Sequence, residues 1–304
     1  MMMLACAAAF CGSVLAEEAK TEAAETPDTL AWAPGEGISF GEQPIMTTEV
    51  GLAFDSKFMS YGLVDNNDPI VTPSASVEFF KHLTVEVAAL FDTTKYGRKW
   101  GEYGNRGGKY IELDAGSAFH WIFSPEDVAW LPTRVGVAIG YAYEYHPRHM
   151  GGGTGEPGDD TQFVIAGLEL PDLWLEPALE IERDIDRDNG TYVNLELGHT
   201  FALIDGDGED PLLAFRPSVA QGLGNTQRTR GYDLAKDHGG LMDTCIKGEL
   251  TWRIGDNLAL SGYVAYSDYL FDSTLREGAR AYEASGRADT SYHFTAGLAL
   301  TASF

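Results

Sequence analysis

Apolar and polar residues alternate with a period of two along most of this 304-residue chain, and this alternation constrains the fold more than any other feature. The segment Tyr292–Phe304 shows it most clearly: every second residue is apolar, and the residues between them are small or polar. Such alternation predicts a β-strand with one apolar and one polar face. The pattern recurs upstream, for example in Leu83–Phe91 and Val135–Tyr145, so the chain is predicted to be all-β.

The alternating runs predict twelve strands, with ten to fourteen possible: Thr47–Gly62, Ile70–Phe80, Leu83–Tyr96, Lys109–Phe123, Thr133–His146, Thr161–Leu170, Leu173–Ile185, Thr191–Leu203, Leu212–Gly224, Leu241–Ile254, Leu258–Tyr269 and Tyr292–Phe304. Most exceed the five or six residues usual in soluble sheets, and they match the roughly 9–11 residues of a tilted membrane-crossing strand. The polar faces are rich in small residues and carboxylates, which suits a crowded wet lumen. We therefore predict an antiparallel transmembrane β-barrel of twelve strands, although a soluble sandwich or barrel shares the alternation.

The N-terminal segment differs from the rest of the chain. Residues 1–16 carry no charge and are mostly small or apolar, which is typical of a secretory signal peptide, although its positive first region is missing. Residues 17–43 are acidic and interrupted by proline and glycine, which predicts a flexible periplasmic leader before a barrel at 44–304. Export would place the mature protein in the bacterial outer membrane.

The charge balance restricts the partners. Asp and Glu total 46 against 21 Lys and Arg, which gives a formal net charge of −25. A nucleic-acid-binding protein needs a basic footprint, so nucleic acid is excluded as a partner. Only Cys245 lies beyond the signal peptide, so the sequence predicts neither a disulfide framework nor a thiolate zinc site.

The links between predicted strands indicate an orientation. The tight turns Lys81-His82 and Gly255-Asp256 are both even-numbered links when the links are counted along the chain. The odd-numbered links include long ones such as Asn225–Gly240 and Phe271–Ser291. Short periplasmic turns and long extracellular loops are the arrangement of outer-membrane barrels.

Two segments resemble known proteins. The ending resembles the C-terminal signal of bacterial outer-membrane barrels, which implies recognition by the barrel-assembly machinery through Tyr292, Phe294, Leu298, Leu300 and Phe304. The stretch Phe54–Gly62 with the following Asn66–Pro69 is similar to the first strand and loop of the TorF-like putative porins, although Tyr61 stands where that family has an arginine. The resemblance implies a pore-like protein among outer-membrane lipids and lipopolysaccharide.

The predicted polar faces supply the candidate site. Nine acids and three bases are expected to line the lumen: Glu86, Glu112, Asp114, Glu144, Glu176, Glu180, Glu182, Glu196, Arg216, Lys247, Glu249 and Arg253. This excess of acids predicts a porin-like channel for passive diffusion of small polar or cationic solutes. Twelve strands are intermediate between filled and open barrels, so a sealed structural or adhesive barrel is the alternative.

Enzyme and metal functions are weaker hypotheses. An outer-membrane lipid hydrolase would need a nucleophile beside His199, which we place on the lipid face, and the neighbouring outward positions offer none. We therefore predict no enzyme activity and no cofactor. The segment Asp184–Gly190 resembles the start of a calcium loop, but Asn189-Gly190 is also a strong hairpin turn. We expect a turn there and no metal site.

Overall fold

The computed structural model describes residues 46–66, 68–93, 110–146, 160–206, 211–281 and 291–304. The predicted signal peptide and leader lie outside these residues, as do the predicted strand ends at Tyr96 and Lys109. The elements of the described chain are β1 Met46–Asp55, β2 Phe58–Ser60, β3 Leu63–Asn66, β4 Ile70–Phe79, β5 Leu83–Asp92, β6 Tyr110–Phe123, β7 Val135–Tyr145, β8 Thr161–Glu169, β9 Ala178–Asp184, β10 Thr191–Gly198, β11 Phe201–Ile204, β12 Leu213–Gly224, α1 Thr226–Gly231, β13 Gly240–Arg253, β14 Leu258–Asp268, α2 Ser273–Ala281 and β15 Tyr292–Ser303.

The long strands pair with their neighbours into a closed antiparallel barrel. Its order is β1-β4-β5-β6-β7-β8-β9-β10-β12-β13-β14-β15, and β15 pairs again with β1. The short β11 continues β10, because both pair with β12. At the seam the backbone N–H of Thr48 donates to the carbonyl of Phe304 over 3.0 Å, and the reverse bond measures 2.8 Å. Each of these twelve strands thus pairs with a neighbour on both sides, and the predicted twelve-stranded barrel is confirmed.

The outward face of the barrel is apolar. Ile139, Val264 and Phe294 are each more than 60% exposed, while the alternate inward residues His120 and Asn194 are buried. An apolar surface that continues around a barrel is unfavourable in water and matches the hydrocarbon of a bilayer. The alternation of the sequence therefore becomes an apolar outside and a polar inside. Among the described residues, no helix is both long enough and apolar enough to cross a membrane.

The barrel has two different ends. We call one the turn end, because it carries the tight β4–β5 and β13–β14 links together with the C-terminus. In the β4–β5 turn, Phe80 and Lys81 both adopt positive φ. The opposite loop end carries the links that contain β2, β3, α1 and α2. The loop-end links are longer than the turn-end links, as the sequence predicts, except for the short β9–β10 link of residues 185–190.

Three predicted strands differ clearly from the observed ones, and one of them, Thr191–Leu203, is interrupted between β10 and β11. The strand predicted at Thr47–Gly62 ends at Asp55, since the chain then turns into the β2–β3 hairpin. The strand predicted at Leu173–Ile185 begins only at Ala178. Its first residues belong to the turn-end link, where Glu176 has φ 40° and its carboxylate accepts the backbone N–H of Thr200 over 2.8 Å. This bond holds Glu176 in the link rather than in the sheet.

Candidate functional site: the lumen and its plug

The β2–β3 hairpin folds into the lumen at the loop end. Its two turn residues, Tyr61 and Gly62, have φ of 50° and 77°, as a tight hairpin with two positive-φ residues requires. A Cβ at Gly62 would lie 2.3 Å from the Cβ of Asp243 on β13. Glycine therefore permits both the turn and the close approach of the hairpin tip to β13.

The hairpin crosses the whole barrel. In the strand order, β9 and β10 lie opposite β1 and β4, between which the hairpin is inserted. The hydroxyl of Tyr61 donates to Glu182 Oε1 on β9 over 2.5 Å. Its ring packs against that of Tyr192 on β10, with 4.7 Å between the centroids. These contacts span the lumen from one side to the other.

Helix α1 adds a buried arginine to the hairpin tip. Asn225 caps the helix, because its side-chain oxygen accepts the backbone N–H of Arg228 over 3.0 Å. The guanidinium of Arg228 lies 2.7 Å from Glu182, 3.3 Å from Asp188 and 4.9 Å from the centre of the Tyr61 ring. Its side chain is 1% exposed, so the charge is fully withdrawn from water.

Helix α2 completes this assembly by packing on the segment after α1. A Cβ at Gly278 would lie 2.0 Å from the carbonyl oxygen of Leu234, so the two backbones touch. We call the β2–β3 hairpin, residues 225–235 and α2 the plug. The apolar core between the plug and the surrounding wall comprises Tyr61, Leu63, Tyr192, Leu234, Met242, Tyr269, Leu275 and Ala279. The sequence analysis did not predict this plug.

Burial shapes the charges that hold the plug. Asp188 lies in the β9–β10 link, and desolvation raises its pKa although Arg228 opposes the shift. Burial disfavours the charged form of Arg228, but Tyr61 and Glu182 outweigh this effect and raise its pKa. The guanidinium therefore stays charged, and it needs its carboxylate partners to remain buried.

Eleven of the twelve residues predicted to line the lumen lie on the inward face of their strands, opposite the exposed apolar positions, and Glu176 lies in the turn-end link. Several acids are paired: Glu112 with His146, Glu182 with Arg228, Glu196 with Arg216, and Glu249 with Lys247. Among the nine predicted acids, those to which the described chain offers no basic partner are Glu86, Asp114, Glu144 and Glu180. The lumen wall therefore carries more acidic than basic side chains, whereas its role in a pore remains a prediction.

A second charged network lies towards the turn end. Arg216 bonds to Glu196, and its Nε lies 3.5 Å from Glu176. A Cβ at Gly198 would lie 2.8 Å from the guanidinium carbon, so glycine makes room for this arginine. Arg216 therefore lies beside Glu176 at this end of the lumen.

His199 lies at the interruption between β10 and β11 rather than within a lipid-facing strand. Its Nδ1 is 3.3 Å from Glu176 Oε1, and its ring meets the edge of Phe201 at 4.6 Å. The ring of Trp174 lies 5.6 Å away. His199 thus lies between the Glu176–Arg216 pair and an aromatic cluster at the turn end.

The acidic segment Asp184–Gly190 is a turn, as expected. Asp184 Oδ1 accepts the backbone N–H groups of Asp186 and Arg187 over 2.9 and 2.8 Å. Asp188 bonds to the N–H of Gly190 and pairs with Arg228. These carboxylates therefore face donors of the protein instead of converging on one point.

The predicted assembly residues share the outward face of β15 and the C-terminus. They are exposed apolar side chains: Tyr292, Phe294, Leu298, Leu300 and Phe304. Their strand closes the barrel against β1, with Leu300 opposite Leu52. Recognition by the assembly machinery remains a prediction.

A closed barrel with an apolar outside and a charged inside defines a transmembrane β-barrel protein. Similar solved structures include an outer-membrane channel of Pseudomonas putida F1 (9% identity, 88% of this chain and 100% of that chain, TM-score 0.48), Acinetobacter baumannii Omp33 (11%, 86% and 100%, 0.36) and Salmonella typhi OmpF (12%, 85% and 97%, 0.34). No family model matches the chain, and no curated protein is similar to it, so the resemblance to the TorF-like putative porins is not confirmed.

Proposed function

We propose that this chain forms a porin-like channel of the bacterial outer membrane for the passive diffusion of small polar or cationic solutes. The observation that carries the proposal is the set of inward acids without a basic partner, Glu86, Asp114, Glu144 and Glu180. Fixed carboxylates in a confined lumen raise the local concentration of cations, and acidic rings are a known means of cation selection. The proposal includes export with a cleaved signal peptide and insertion by the barrel-assembly machinery among lipids and lipopolysaccharide. It assigns no enzymatic reaction, and membership of the TorF-like putative porins belongs to it.

The plug sets the conductance in this proposal. It is held by noncovalent contacts, above all those of Arg228 and Tyr61 with Glu182. Solutes then pass through space that the plug leaves free or opens when it shifts. A low conductance that rises when the plug is loosened is the expected behaviour.

The second candidate is a sealed structural or adhesive barrel. The completeness of plug burial favours it, because Met242 and Leu275 are 0% exposed and Arg228 is 1% exposed. Apolar residues from the hairpin, β13 and α2 thus share one buried cluster. In a sealed barrel the plug never opens, and the buried charges only stabilise it.

Planar-bilayer recordings with a salt gradient separate the two candidates. The channel proposal predicts a reversal potential that indicates weak cation preference, strongest at low salt because screening shortens the reach of fixed charges. The substitution Glu180→Gln removes an unpaired inward acid and should shift the reversal potential towards anions. Glu182 and Glu196 are poorer choices, because each neutralises an arginine.

Asp256→Asn provides the matched control, since Asp256 is an exposed acid of the β13–β14 turn. It should leave the reversal potential unchanged. Conductance with the same selectivity in wild type and Glu180→Gln would refute the residue assignment. A folded barrel without conductance, both as wild type and with the plug loosened by Arg228→Met, would favour the sealed barrel.

A further inference from the structure

Three potential metal ligands meet on the inward face of β6 and β7, at the loop end. Asp114 on β6 pairs with Glu144 on β7, and Leu113 pairs with Tyr145, so Glu112 lies across from His146. One ligand atom from each of Glu112, Glu144 and His146 lies within 4.8 Å of the other two. His146 Nε2 is 3.3 Å from Glu112 Oε2.

Asp114 gives a second, independent observation. The residue is 9% exposed, and its Oδ1 is buried without a hydrogen-bond partner. Its carboxyl group interacts with those of Glu112, Glu144 and Glu86. Like charges directly opposite one another on paired strands destabilise a sheet, and a buried carboxylate without a partner is costly. An unpartnered oxygen directed into a group of carboxylates is what a bound cation would satisfy.

The imidazole of His146 is also available. Its Nδ1 is buried without a hydrogen-bond partner. The backbone N–H of His146 donates to Asp160 Oδ1 over 2.9 Å, which fixes the residue beyond the end of β7. Either ring nitrogen can therefore act as a ligand once the ring is neutral.

We propose that Glu112, Glu144 and His146 bind a divalent transition-metal ion such as Zn²⁺, with Asp114 as a fourth ligand. Carboxylates and one imidazole are donors that Zn²⁺ accepts, whereas Ca²⁺ and Mg²⁺ prefer oxygen alone. A divalent charge offsets two of the three carboxylates, which relieves their repulsion in a buried site. This inference does not require that the barrel conducts ions.

Isothermal titration of the refolded full-length barrel with ZnCl₂ tests the proposal. We expect saturable binding of one Zn²⁺ per chain, with affinity lowered at least about tenfold by His146→Ala and by Glu112→Gln. Calcium chloride should bind far more weakly in the same cell. The matched control is His238→Ala, which removes an exposed histidine that also pairs with a carboxylate, Asp272, at 2.7 Å. This variant should bind Zn²⁺ like the wild type.

Thermal unfolding gives a second readout that does not depend on the same variants. Asp114→Asn removes one carboxyl from this crowded buried group, so it should raise the melting temperature without metal and abolish most of the increase that Zn²⁺ gives the wild type. Zinc affinity that is unchanged in both His146→Ala and Asp114→Asn would overturn the site. Equal affinities for Ca²⁺ and Zn²⁺, or a loss of binding in His238→Ala, would overturn it as well.

Discussion

Replacing Arg228 with methionine should release the plug. The guanidinium is the counter-charge of Glu182 and Asp188, whose side chains are 3% and 7% exposed. Removing one member of a buried ion pair typically costs about 3–5 kcal/mol, because the remaining charges stay buried without compensation. Methionine fills a similar volume, so the loss of docking free energy reflects the missing charge more than missing packing contacts.

The cost falls on plug docking rather than on the barrel wall. Because about 1.4 kcal/mol corresponds to a tenfold change in an equilibrium constant, the ratio of docked to undocked plug should fall by about two to three and a half orders of magnitude. Amide hydrogen exchange in residues 58–66 and 225–235 should accelerate accordingly. The strands of the barrel wall should keep their protection. In bilayers the same variant should raise the conductance.

Two further variants make this test specific. Arg230→Met removes an exposed arginine of the same helix, whose partner Asp237 is 91% exposed, so it should change plug exchange by well under 1 kcal/mol. Adding Glu182→Gln to Arg228→Met removes one uncompensated charge and should recover part of the docking free energy. Unchanged exchange in Arg228→Met, or equal effects of Arg228→Met and Arg230→Met, would refute the assignment of the plug to this ion pair.

Three other predictions concern the wall, the seam and the turn end. Leu195→Arg should cost about 2–4 kcal/mol of folding free energy in lipid vesicles, because Leu195 faces outward. Ala138→Arg on the inward face should cost less. Urea titrations that gave the opposite order would contradict the assignment of the inner and outer faces. Deleting Phe304 removes the two backbone bonds between Thr48 and Phe304 at the seam, so gel-shift assays should detect less of the folded, heat-modifiable form. An unchanged yield would argue against a role of Phe304 in closure. Hydrogen bonding to Arg134 lowers the pKa of Asp172 to about 2, so this pair stabilises the fold above the ordinary value of 3.8 and loses its effect as the pH falls towards 2. Because both side chains are about one-third exposed, the pair should contribute about 1 kcal/mol or less to the free energy of unfolding. Asp172→Asn should therefore lower the urea midpoint of unfolding at pH 7 but not at pH 2. An equal decrease at both pH values would exclude the ion pair.

The sequence by itself determined which residues face outward and which face inward. Side chains alternate strictly along a strand, so the pattern of Tyr292–Phe304 was enough to predict an apolar outer face and a polar inner one. Strand number and the alternation of short and long links followed from the same local information. The ends of strands were less certain: alternation continues past Asp55 through Phe58, although the chain leaves the barrel wall there.

Only the tertiary structure decided how the lumen is filled. Tyr61 and Glu182 are 121 residues apart, and the closed strand order brings them together across the barrel. The tertiary structure also decided which acids are paired, since Glu182 and Glu196 have arginine partners whereas Glu180 does not. Local periodicity fixes the face on which a side chain lies but carries no information about contacts across the lumen. Those contacts depend on closure of the sheet and on which loop folds inward.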